Sequence, residues 1–454
     1  MSPEPDQPFW GDESGTVDAV LAWTTQRVVH SGDPKTTARP GSELAAAAGR
    51  TITPSGIGGA QALRIFDQVL APATRSQDDP MNLAYVPSAP TRSAVAFDLA
   101  TSAANIFGGV WEAGAGAIFA ENEALAWLVE LLGWPADAGG CFVSGGTTGQ
   151  LSALVAARET VQRRRGGRPA DGWALACTEG AHSSVVAAAR VMDVDVVTVE
   201  VDDRGHLTGK ALAGCLADHP EVFAVVASAG TTNSGVVDDL ADVADVCAAH
   251  ETWLHVDGAY GGAALAAPSV RHRFAGIERA DSFIVDPHKW LFAPYDCCAL
   301  LYRDPATGRA AHAQHASYLD SIDRDEPNPA DLAIHLSRRV RGLPFWFSLA
   351  THGTQAYTAA VERSLTVTRE IASGIEQREH LRLVMEPELS VLLFERVGWS
   401  ADRYAEWSAR MAADGVILCL PTTWENRTVL RLIVINPETR ADDVLAALDT
   451  LGEE

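Results

Sequence analysis

Six short apolar runs recur along the middle of this 454-residue chain, and they constrain its fold more than any other feature. Segments with helical patterns separate them. The runs are mostly continuous rather than alternating, which is typical of strands that are buried on both faces of a mostly parallel sheet. They span residues 172–177, 196–199, 222–228, 253–256, 282–285 and 299–302. The sequence therefore predicts an α/β fold whose central sheet is mostly parallel and covered by helices.

Polar or small residues follow most of these runs, at the points where the predicted strands end. The segments in question are 178–182, 229–232, 257–259 and 286–289. In open α/β sheets, ligands bind outside the carboxyl ends of the strands. We therefore expect these four segments to surround one site.

The two ends of the chain have a different pattern. Residues 1–75 contain short amphipathic stretches and lack a convincing apolar core of their own, which predicts an arm that packs on something else. After Asp304 the pattern becomes more helical and predicts an α+β domain. Its predicted helices are 343–350, 356–379 and 441–451, and its predicted strands are 391–394, 415–419 and 429–434. We expect an N-terminal arm at 1–75, a large domain at 76–310 and a small domain at 311–454.

Composition excludes several classes of protein. The formal net charge of −24 argues against nucleic acid and anionic membranes as partners, because phosphate groups require a basic surface. No apolar stretch reaches the roughly 18 residues of a membrane span, and the N-terminus lacks the features of a secretion signal. We therefore expect a soluble, cytoplasmic protein. The seven cysteines include no Cys-x-x-Cys pair, so we expect no metal site and assign them to packing.

Lys289 is one of three lysines in the chain, against 32 arginines. It follows the apolar run 282–285, within the sequence Asp286-Pro287-His288-Lys289-Trp290. Asp257 follows another apolar run, 32 residues upstream of Lys289. An amine that forms imines and a carboxylate held near it are the two protein groups that a pyridoxal phosphate enzyme needs first.

Two further features suit the same cofactor. The glycine-rich segment 143–150 precedes a helical pattern at 151–158, and a helix start offers unpaired N–H groups to a phosphate. His182 follows a predicted strand and has a flat ring that stacks on other rings. Taken singly, each feature has a purely structural interpretation: a plain loop, a helix-start histidine and, for Asp257, a turn or N-cap residue. The set as a whole favours the cofactor.

In order and spacing, this set resembles the group II pyridoxal-phosphate-dependent decarboxylases, which include aromatic L-amino acid, tyrosine, histidine and glutamate decarboxylases. The resemblance rests on the glycine-rich turn, His182, Thr231-Thr232 and the segments 257–262 and 286–290, and it runs from about Tyr85 to the C-terminus. It implies the fold-type I aminotransferase architecture. It also implies an enzyme that converts an L-amino acid into an amine and CO2.

The resemblance assigns roles to individual positions. Lys289 is expected to bond covalently to the cofactor aldehyde, Asp257 to pair with the ring nitrogen and His182 to stack on the ring. The remaining implied cofactor contacts are Gly146, Thr147 and His288 at the phosphate, Ala259 on the other ring face, and Thr232 near the substrate carboxylate.

The resemblance further implies a homodimer with shared active sites. The arm at 1–75 is expected to clasp the partner. A loop around His352-Gly353 is expected to reach the other subunit's site, so Gly353 is counted with the substrate pocket.

The implied substrate is an aromatic L-amino acid. The segment 292–297 most resembles the aromatic amino acid decarboxylases, in which an aromatic residue at the position of Tyr295 lines the side-chain pocket. Tyr85 matches another pocket position, and Trp111 is either a third pocket residue or part of the core. No arginine stands out as a clamp for a distal carboxylate. An aromatic-lined pocket favours an aromatic or apolar side chain.

One departure from the family leaves the chemistry open. The aromatic branch uses a loop tyrosine to protonate the α-carbon, but the segment 321–331 contains no Tyr, Phe or Trp. The proton donor is therefore unassigned. The alternatives are decarboxylation of a small aliphatic or acidic amino acid, a decarboxylating oxidative deamination that gives an aldehyde, and a catalytically silent homologue.

Overall fold

A central sheet of seven strands organises the computed structural model, which describes residues 14–30, 37–170, 172–313 and 326–452. The strands are β1 (Gly139–Val143), β2 (Ala174–Thr178), β3 (Asp195–Val199), β4 (Val222–Ser228), β5 (Trp253–Asp257), β6 (Ser282–Val285) and β7 (Cys298–Tyr302). Their spatial order is β1-β7-β6-β5-β4-β2-β3. Pairing is parallel from β3 to β6, whereas β7 is antiparallel to both of its neighbours. The predicted α/β fold with a mostly parallel sheet is confirmed.

The carboxyl ends of the parallel strands lie at one edge of the sheet. Ser228 at the end of β4 pairs with Asp257 at the end of β5, and Asp257 pairs with Ile284 in β6. The segments that follow these strands therefore begin side by side. This edge is where the four polar segments were predicted to meet.

Alternate residues of the central strands pack on opposite faces of the sheet. In β4, Val225 and Ala227 belong to one apolar core, and Ala224 and Val226 belong to another. Both faces are covered by helices, which explains why the runs are continuously apolar. The helices of this part are Arg92–Ala104, Trp111–Leu132, Gly146–Arg165, Ser183–Met192, Gly209–Asp218, Leu240–Ala249 and Pro305–His312.

A second, antiparallel sheet lies in the C-terminal part of the chain. Its strands are β8 (Leu381–Leu383), β9 (Val391–Arg396), β10 (Leu420–Trp424) and β11 (Arg427–Ile433), in the order β10-β11-β9-β8. The helices Thr354–Glu376, Ala401–Ala413 and Ala441–Asp449 accompany it, whereas Phe345 and Leu349 of the helix Leu343–His352 belong to the core of the large sheet. Leu83 belongs to the same core as Phe394 and Trp407, so a segment that precedes the large sheet packs on the small one.

The described part of the N-terminal segment contains the α-helices Ser14–Val29, Gly41–Ala48 and Gly59–Ile65, followed by a π-helical turn at Phe66–Leu70. Neither Gly41–Ala48 nor Gly59–Ile65 has a buried residue among those that the structure describes. Val17, Leu21 and Phe66 are 48%, 43% and 41% exposed. These exposed apolar side chains agree with an arm that lacks a core of its own, and its contact with a partner stays a prediction.

The predicted C-terminal helices are confirmed, but the predicted strand at 415–419 is wrong. Leu418 forms an isolated bridge with Asn82, and the ladder begins only at Leu420. Ile417 and Cys419 are buried, so burial of a connecting segment explains the apolar run. Within the described ranges, no helix combines the length and apolarity needed to cross a membrane.

Strand β1 was not predicted, because its glycines obscure the apolar pattern. A Cβ atom at Gly140 would lie 1.8 Å from the carbonyl oxygen of Leu300 in β7. The close approach of the two strands therefore requires glycine at this position.

Candidate active site

A cavity of about 400 Å³ opens at the carboxyl ends of β4, β5 and β6. Its wall is built from segments that are far apart in the sequence. The lining residues fall at 144–148, 182, 184, 228, 230–232, 257, 259–260, 284, 286, 288–289 and 295–296. All four polar segments that follow predicted strands contribute to it.

The start of the helix Gly146–Arg165 forms one wall of the cavity. The first backbone hydrogen bonds of this helix run from Thr148 and Gly149 to the carbonyl oxygen of Gly145. The N–H groups of Gly146 and Thr147 thus precede the intrahelical ladder. A Cβ atom at Gly146 would lie 3.3 Å from Asp286 Oδ2 and 3.5 Å from Ala259 Cβ, so a side chain here would crowd the wall. Bare backbone at a helix start suits an anion.

Asp257 ends β5 with its carboxylate fixed at two points. Oδ1 accepts a hydrogen bond from the N–H group of Ala259 at 3.0 Å, and Oδ2 accepts one from Gln150 Nε2 at 2.7 Å. Burial raises the pKa of Asp257, while the Ala259 N–H group and the charge of Lys289 oppose that shift. A cationic group of a ligand beside Asp257 would favour its ionised form.

Lys289 lies in the turn after β6 and forms an ion pair with Asp286. The distance from Lys289 Nζ to Asp286 Oδ2 is 2.8 Å, and the Asp286 side chain is 2% exposed. Desolvation lowers the pKa of Lys289, but the Asp286 carboxylate more than offsets it, so this pKa lies above its ordinary value. Desolvation likewise raises the pKa of Asp286, and the charges of Lys289 and His288 reverse the shift, leaving it below its ordinary value. The amine is therefore held as an ammonium in the protein alone.

Backbone hydrogen bonds determine which ring nitrogen carries the proton in two histidines at the cavity, His182 and His288. His182 caps the helix Ser183–Met192, and its Nδ1 accepts a hydrogen bond from the N–H group of Ser184 at 3.2 Å. His288 Nδ1 accepts one from the N–H group of Cys297 at 3.1 Å. In the neutral form, both rings therefore carry their proton on Nε2. The ring of Tyr295 packs on His288 with centroids 4.6 Å apart.

The structure brings most of the predicted site residues to this one cavity. Those that line it are Gly146, Thr147, His182, Thr232, Asp257, Ala259, His288, Lys289 and Tyr295. Tyr85, Trp111 and Gly353 lie outside this lining in the described chain. Tyr85 is 67% exposed, and Gly353 ends the helix Leu343–His352 with φ 76°. The backbone N–H group of Trp111 donates to Asn328 Oδ1 at 2.8 Å. Residues 321–325 of the segment without a tyrosine are outside the described residues.

Sequence reasoning missed three residues that hold this site together. Gln150 binds Asp257, Asp286 binds Lys289, and Arg431 donates to the carbonyl oxygens of Thr232 (2.9 and 2.6 Å) and Tyr85 (2.8 Å). Two signals were available. Arg431 is a charged residue inside the apolar run 429–434, and Asp286 stands within the same motif as Lys289.

An anion-binding helix start, a buried carboxylate and an amine around one cavity define an α/β enzyme for a phosphorylated carbonyl cofactor. The chain belongs to the pyridoxal-dependent decarboxylase family, since the model of the pyridoxal-dependent decarboxylase conserved domain matches residues 61–397. It is a pyridoxal-phosphate-dependent amino acid decarboxylase, as its sequence predicted.

Relatives and solved structures agree with this membership. The chain is 30% identical over 385 residues to an aromatic-L-amino-acid decarboxylase of Bacillus atrophaeus, covering 81% of this chain and 79% of the relative. It is 32% identical over 377 residues to an L-2,4-diaminobutyrate decarboxylase of Rhizobium meliloti (strain 1021), covering 79% and 74%. The crystal structure of mouse CSAD superposes with a TM-score of 0.86 at 27% identity, covering 97% of this chain and 99% of that one.

The described residues fit pyridoxal phosphate. The backbone of Gly146 meets the cavity without a side chain, at a place where a Cβ atom would lie 3.3 Å from Asp286 Oδ2. Asp257 offers a buried carboxylate with no ion pair of its own among the described residues, which suits a cationic ring nitrogen. Lys289 offers the amine at the same cavity.

Proposed function

We propose that the substrate is an aromatic L-amino acid, which the enzyme converts into the corresponding amine and CO2. The observation that carries this proposal is the composition of the cavity wall. The Tyr295 ring stands in it, and no arginine belongs to the lining formed by the described residues. An aromatic face without a guanidinium favours an apolar or aromatic side chain over a carboxylate. The aromatic-L-amino-acid decarboxylase among the relatives supports the same choice.

Different cavity residues bind different parts of the cofactor. The Gly146 and Thr147 N–H groups and His288 bind the phosphate, and Lys289 bonds to the aldehyde carbon. His182 and Ala259 cover the two faces of the ring. Asp257, fixed by Ala259 and Gln150, keeps a proton on the ring nitrogen. When bound, pyridoxal phosphate supplies an electron-accepting ring that takes up the electron pair released as CO2 leaves.

Thr232 lines the cavity, and Arg431 holds the backbone of Thr232 from outside that lining. The Arg431 guanidinium fixes the backbone of Thr232 and Tyr85, so these two segments keep a constant separation. Tyr85, Trp111 and Gly353 complete the pocket only in a homodimer, where the partner supplies the missing wall. In that assembly residues 1–75 clasp the partner, residues 76–310 hold the cofactor, and residues 311–454 form the small domain.

A screen of the common L-amino acids tests this proposal. We expect CO2 release in equal amount to an amine with tryptophan, tyrosine, phenylalanine or a hydroxylated relative of these. Preferential turnover of diaminobutyrate, glutamate or a small aliphatic amino acid would contradict the aromatic assignment while leaving the decarboxylase assignment intact.

The role of Lys289 is tested by substitution. Lys289→Ala is expected to abolish turnover and the covalent adduct that borohydride reduction traps, because no amine remains at the cavity. Lys210→Ala, which removes an exposed lysine at the start of the helix Gly209–Asp218, is the matched control and should retain both. Trapped cofactor on Lys289→Ala would refute the role.

A second candidate activity is decarboxylating oxidative deamination, which gives an aldehyde. The absence of an aromatic residue from 321–331 favours it, because slow protonation of the α-carbon leaves time for reaction with oxygen. Oxygen consumption and aldehyde formation, measured alongside the amine, separate the two activities.

A further inference from the structure

Gln150 is a fully buried amide whose one described side-chain hydrogen bond goes to Asp257. It lies in the second turn of the helix Gly146–Arg165, outside the lining of the cavity. Its Nε2 donates to Asp257 Oδ2 at 2.7 Å, whereas its Oε1 accepts no hydrogen bond in the described part of the chain. Burying an amide with one unpaired end costs free energy. Packing alone therefore does not explain an amide at this place, and its contact with Asp257 points to a role at the site.

The contact orients the Asp257 carboxylate without using up its acceptors. An ionised carboxylate has acceptors only, so a facing amide must present its N–H group. The N–H group of Ala259 donates to Oδ1 at 3.0 Å, and Gln150 donates to Oδ2. Each carboxylate oxygen has two lone pairs and retains one of them for a further donor. Asp257 is thus fixed in place and still able to accept a hydrogen bond from a protonated ring nitrogen.

The two neutral donors favour the charged form of Asp257 in every state of the enzyme. Burial raises the pKa of Asp257, and the Ala259 N–H group and the charge of Lys289 oppose that shift. Lys289 is itself paired with Asp286 at 2.8 Å, and its charge changes when its amine bonds to the cofactor. The amide of Gln150 does not titrate, so its effect on Asp257 is constant.

A neutral donor suits this position better than a cation or an apolar side chain. An arginine or lysine at position 150 would cancel the charge of Asp257 and compete with the cationic ring nitrogen. An apolar side chain would leave Oδ2 without its donor, and the carboxylate would then bind a proton more tightly. A proton shared with the ring nitrogen would move toward Asp257, and the ring would lose the charge that makes it an electron acceptor.

We propose that Gln150 is a positioning residue that keeps Asp257 ionised, so that the proton shared by Asp257 and the ring nitrogen of the cofactor stays on the nitrogen. The proposal rests on the proposed pairing of Asp257 with that nitrogen. Gln150 acts only through Asp257, because it does not itself line the cavity.

Gln150→Met tests the proposal, with Gln162→Met as the matched control. Methionine is similar in length to glutamine and has no N–H donor. Gln162 lies about three turns further along the same helix, and its described hydrogen bonds involve the backbone alone. Gln150→Asn is the second variant: it keeps a polar amide but is one carbon shorter, so it loses the reach to Asp257 Oδ2.

The first measurement locates the proton. The enzyme is loaded with pyridoxal phosphate labelled with ¹⁵N in the ring, because the ¹⁵N chemical shift differs between a protonated and a neutral ring nitrogen. We expect the protonated value in the parent and in Gln162→Met. In Gln150→Met and Gln150→Asn the shift should move toward the neutral value. The parental shift in the Gln150 variants overturns the proposal.

The second measurement compares pyridoxal phosphate with its deaza analogue, in which a carbon atom replaces the ring nitrogen. The full chain, freed of cofactor, is titrated with each compound. We expect Gln150→Met to weaken the binding of pyridoxal phosphate about tenfold and that of the analogue less than about twofold, because only the former has a nitrogen for Asp257. A merely structural role of Gln150 would weaken both alike, which would also overturn the proposal.

Failure of the proposed function gives a different result. If Asp257 does not pair with the ring nitrogen, Asp257→Ala leaves the ¹⁵N shift of the parent unchanged. If it does, Asp257→Ala gives the neutral value, toward which the shift of Gln150→Met should move. Neither measurement uses a substrate, so both are independent of which amino acid the enzyme accepts.

Discussion

The surroundings of Asp257 suit a carboxylate that pairs with the protonated ring nitrogen of the cofactor. Two donors orient its carboxylate, and its burial makes the ionised form depend on a cation nearby. We predict that Asp257→Ala lowers kcat by about 100-fold or more, because a neutral pyridine accepts electrons poorly. The measurement is steady-state turnover at saturating pyridoxal phosphate, with Asp281→Asn as the control. Turnover within a few-fold of the parent would refute the role.

His206 joins two segments that are distant in the sequence, and this contact makes stability depend on pH. Its Nε2 lies 2.8 Å from Glu388 Oε1 and its Nδ1 lies 2.9 Å from Asp202 Oδ2. The hydrogen bond with Glu388 raises the pKa of His206 to about 9, despite partial desolvation.

A raised pKa means that the folded state binds the proton more tightly than the unfolded state. The stabilisation by His206 is therefore complete below its ordinary pKa of 6.5 and is lost as the pH rises through about 9. After allowance for solvent screening it is worth about 1–2 kcal/mol. We predict that His206→Gln lowers the unfolding midpoint at about pH 6 and leaves it nearly unchanged at about pH 10. An equal loss at both values would contradict this explanation.

The packing of the helix Gly146–Arg165 against the sheet depends on a second glycine. A Cβ atom at Gly149 would lie 2.8 Å from Ile284 Cγ2 and 3.2 Å from Cys298 Sγ. We predict that Gly149→Ala lowers the free energy of unfolding by about 1–3 kcal/mol, because the helix must move away from β6 and β7. It should also weaken cofactor binding, since the same helix begins at the cavity.

Gly214 in the helix Gly209–Asp218 provides the matched control, because nothing lies within 4 Å of a Cβ atom there. Gly214→Ala is expected to be neutral or slightly stabilising, since alanine favours the helix. Thermal unfolding and cofactor titration of both variants make the comparison. Equal effects of the two substitutions would show that helix packing is not the cause.

At the scale of the whole molecule, we expect two subunits to associate and to share their active sites. The helix Ser14–Val29 and the turn Phe66–Leu70 expose apolar side chains, and Gly353 lies outside the cavity lining of its own chain. We predict a homodimer by light scattering, in which Gly353 serves the partner's site.

Mixing inactive variants tests this sharing. Lys289→Ala and Gly353→Val should each be nearly inactive alone, because the positive φ of 76° at Gly353 disfavours valine. After the subunits are exchanged, about a quarter of the parental activity should return, since half of the dimers are then mixed and each carries one intact site. Lys289→Ala mixed with Asp257→Ala should recover none, because both residues line the same chain's cavity. Absence of recovery in the first mixture would contradict the sharing.

Local sequence patterns determined most of the fold and the chemical groups of the site. The continuous apolarity of β4 and β5 follows from burial on both faces, and polar segments after the strands meet because parallel strands share an edge. Lys289, Asp257, His182 and the glycine-rich turn could be found in this way because each stands at a strand end or a helix start.

Only the tertiary structure decided which side chains hold those groups. Gln150 and Asp257 are 107 positions apart, and Arg431 and Thr232 are 199 apart. Such contacts depend on how strands and helices are stacked, and no local period encodes that stacking. Tertiary contacts also explain two errors of the strand prediction. Gly140 belongs to a strand although glycine weakens the apolar pattern, because β7 approaches it closely. The apolar residues of 415–419 are buried in a connecting segment and not in a strand. The sequence by itself thus determined the kind of enzyme, whereas the ion pair between Lys289 and Asp286 emerged only once the turn after β6 was folded.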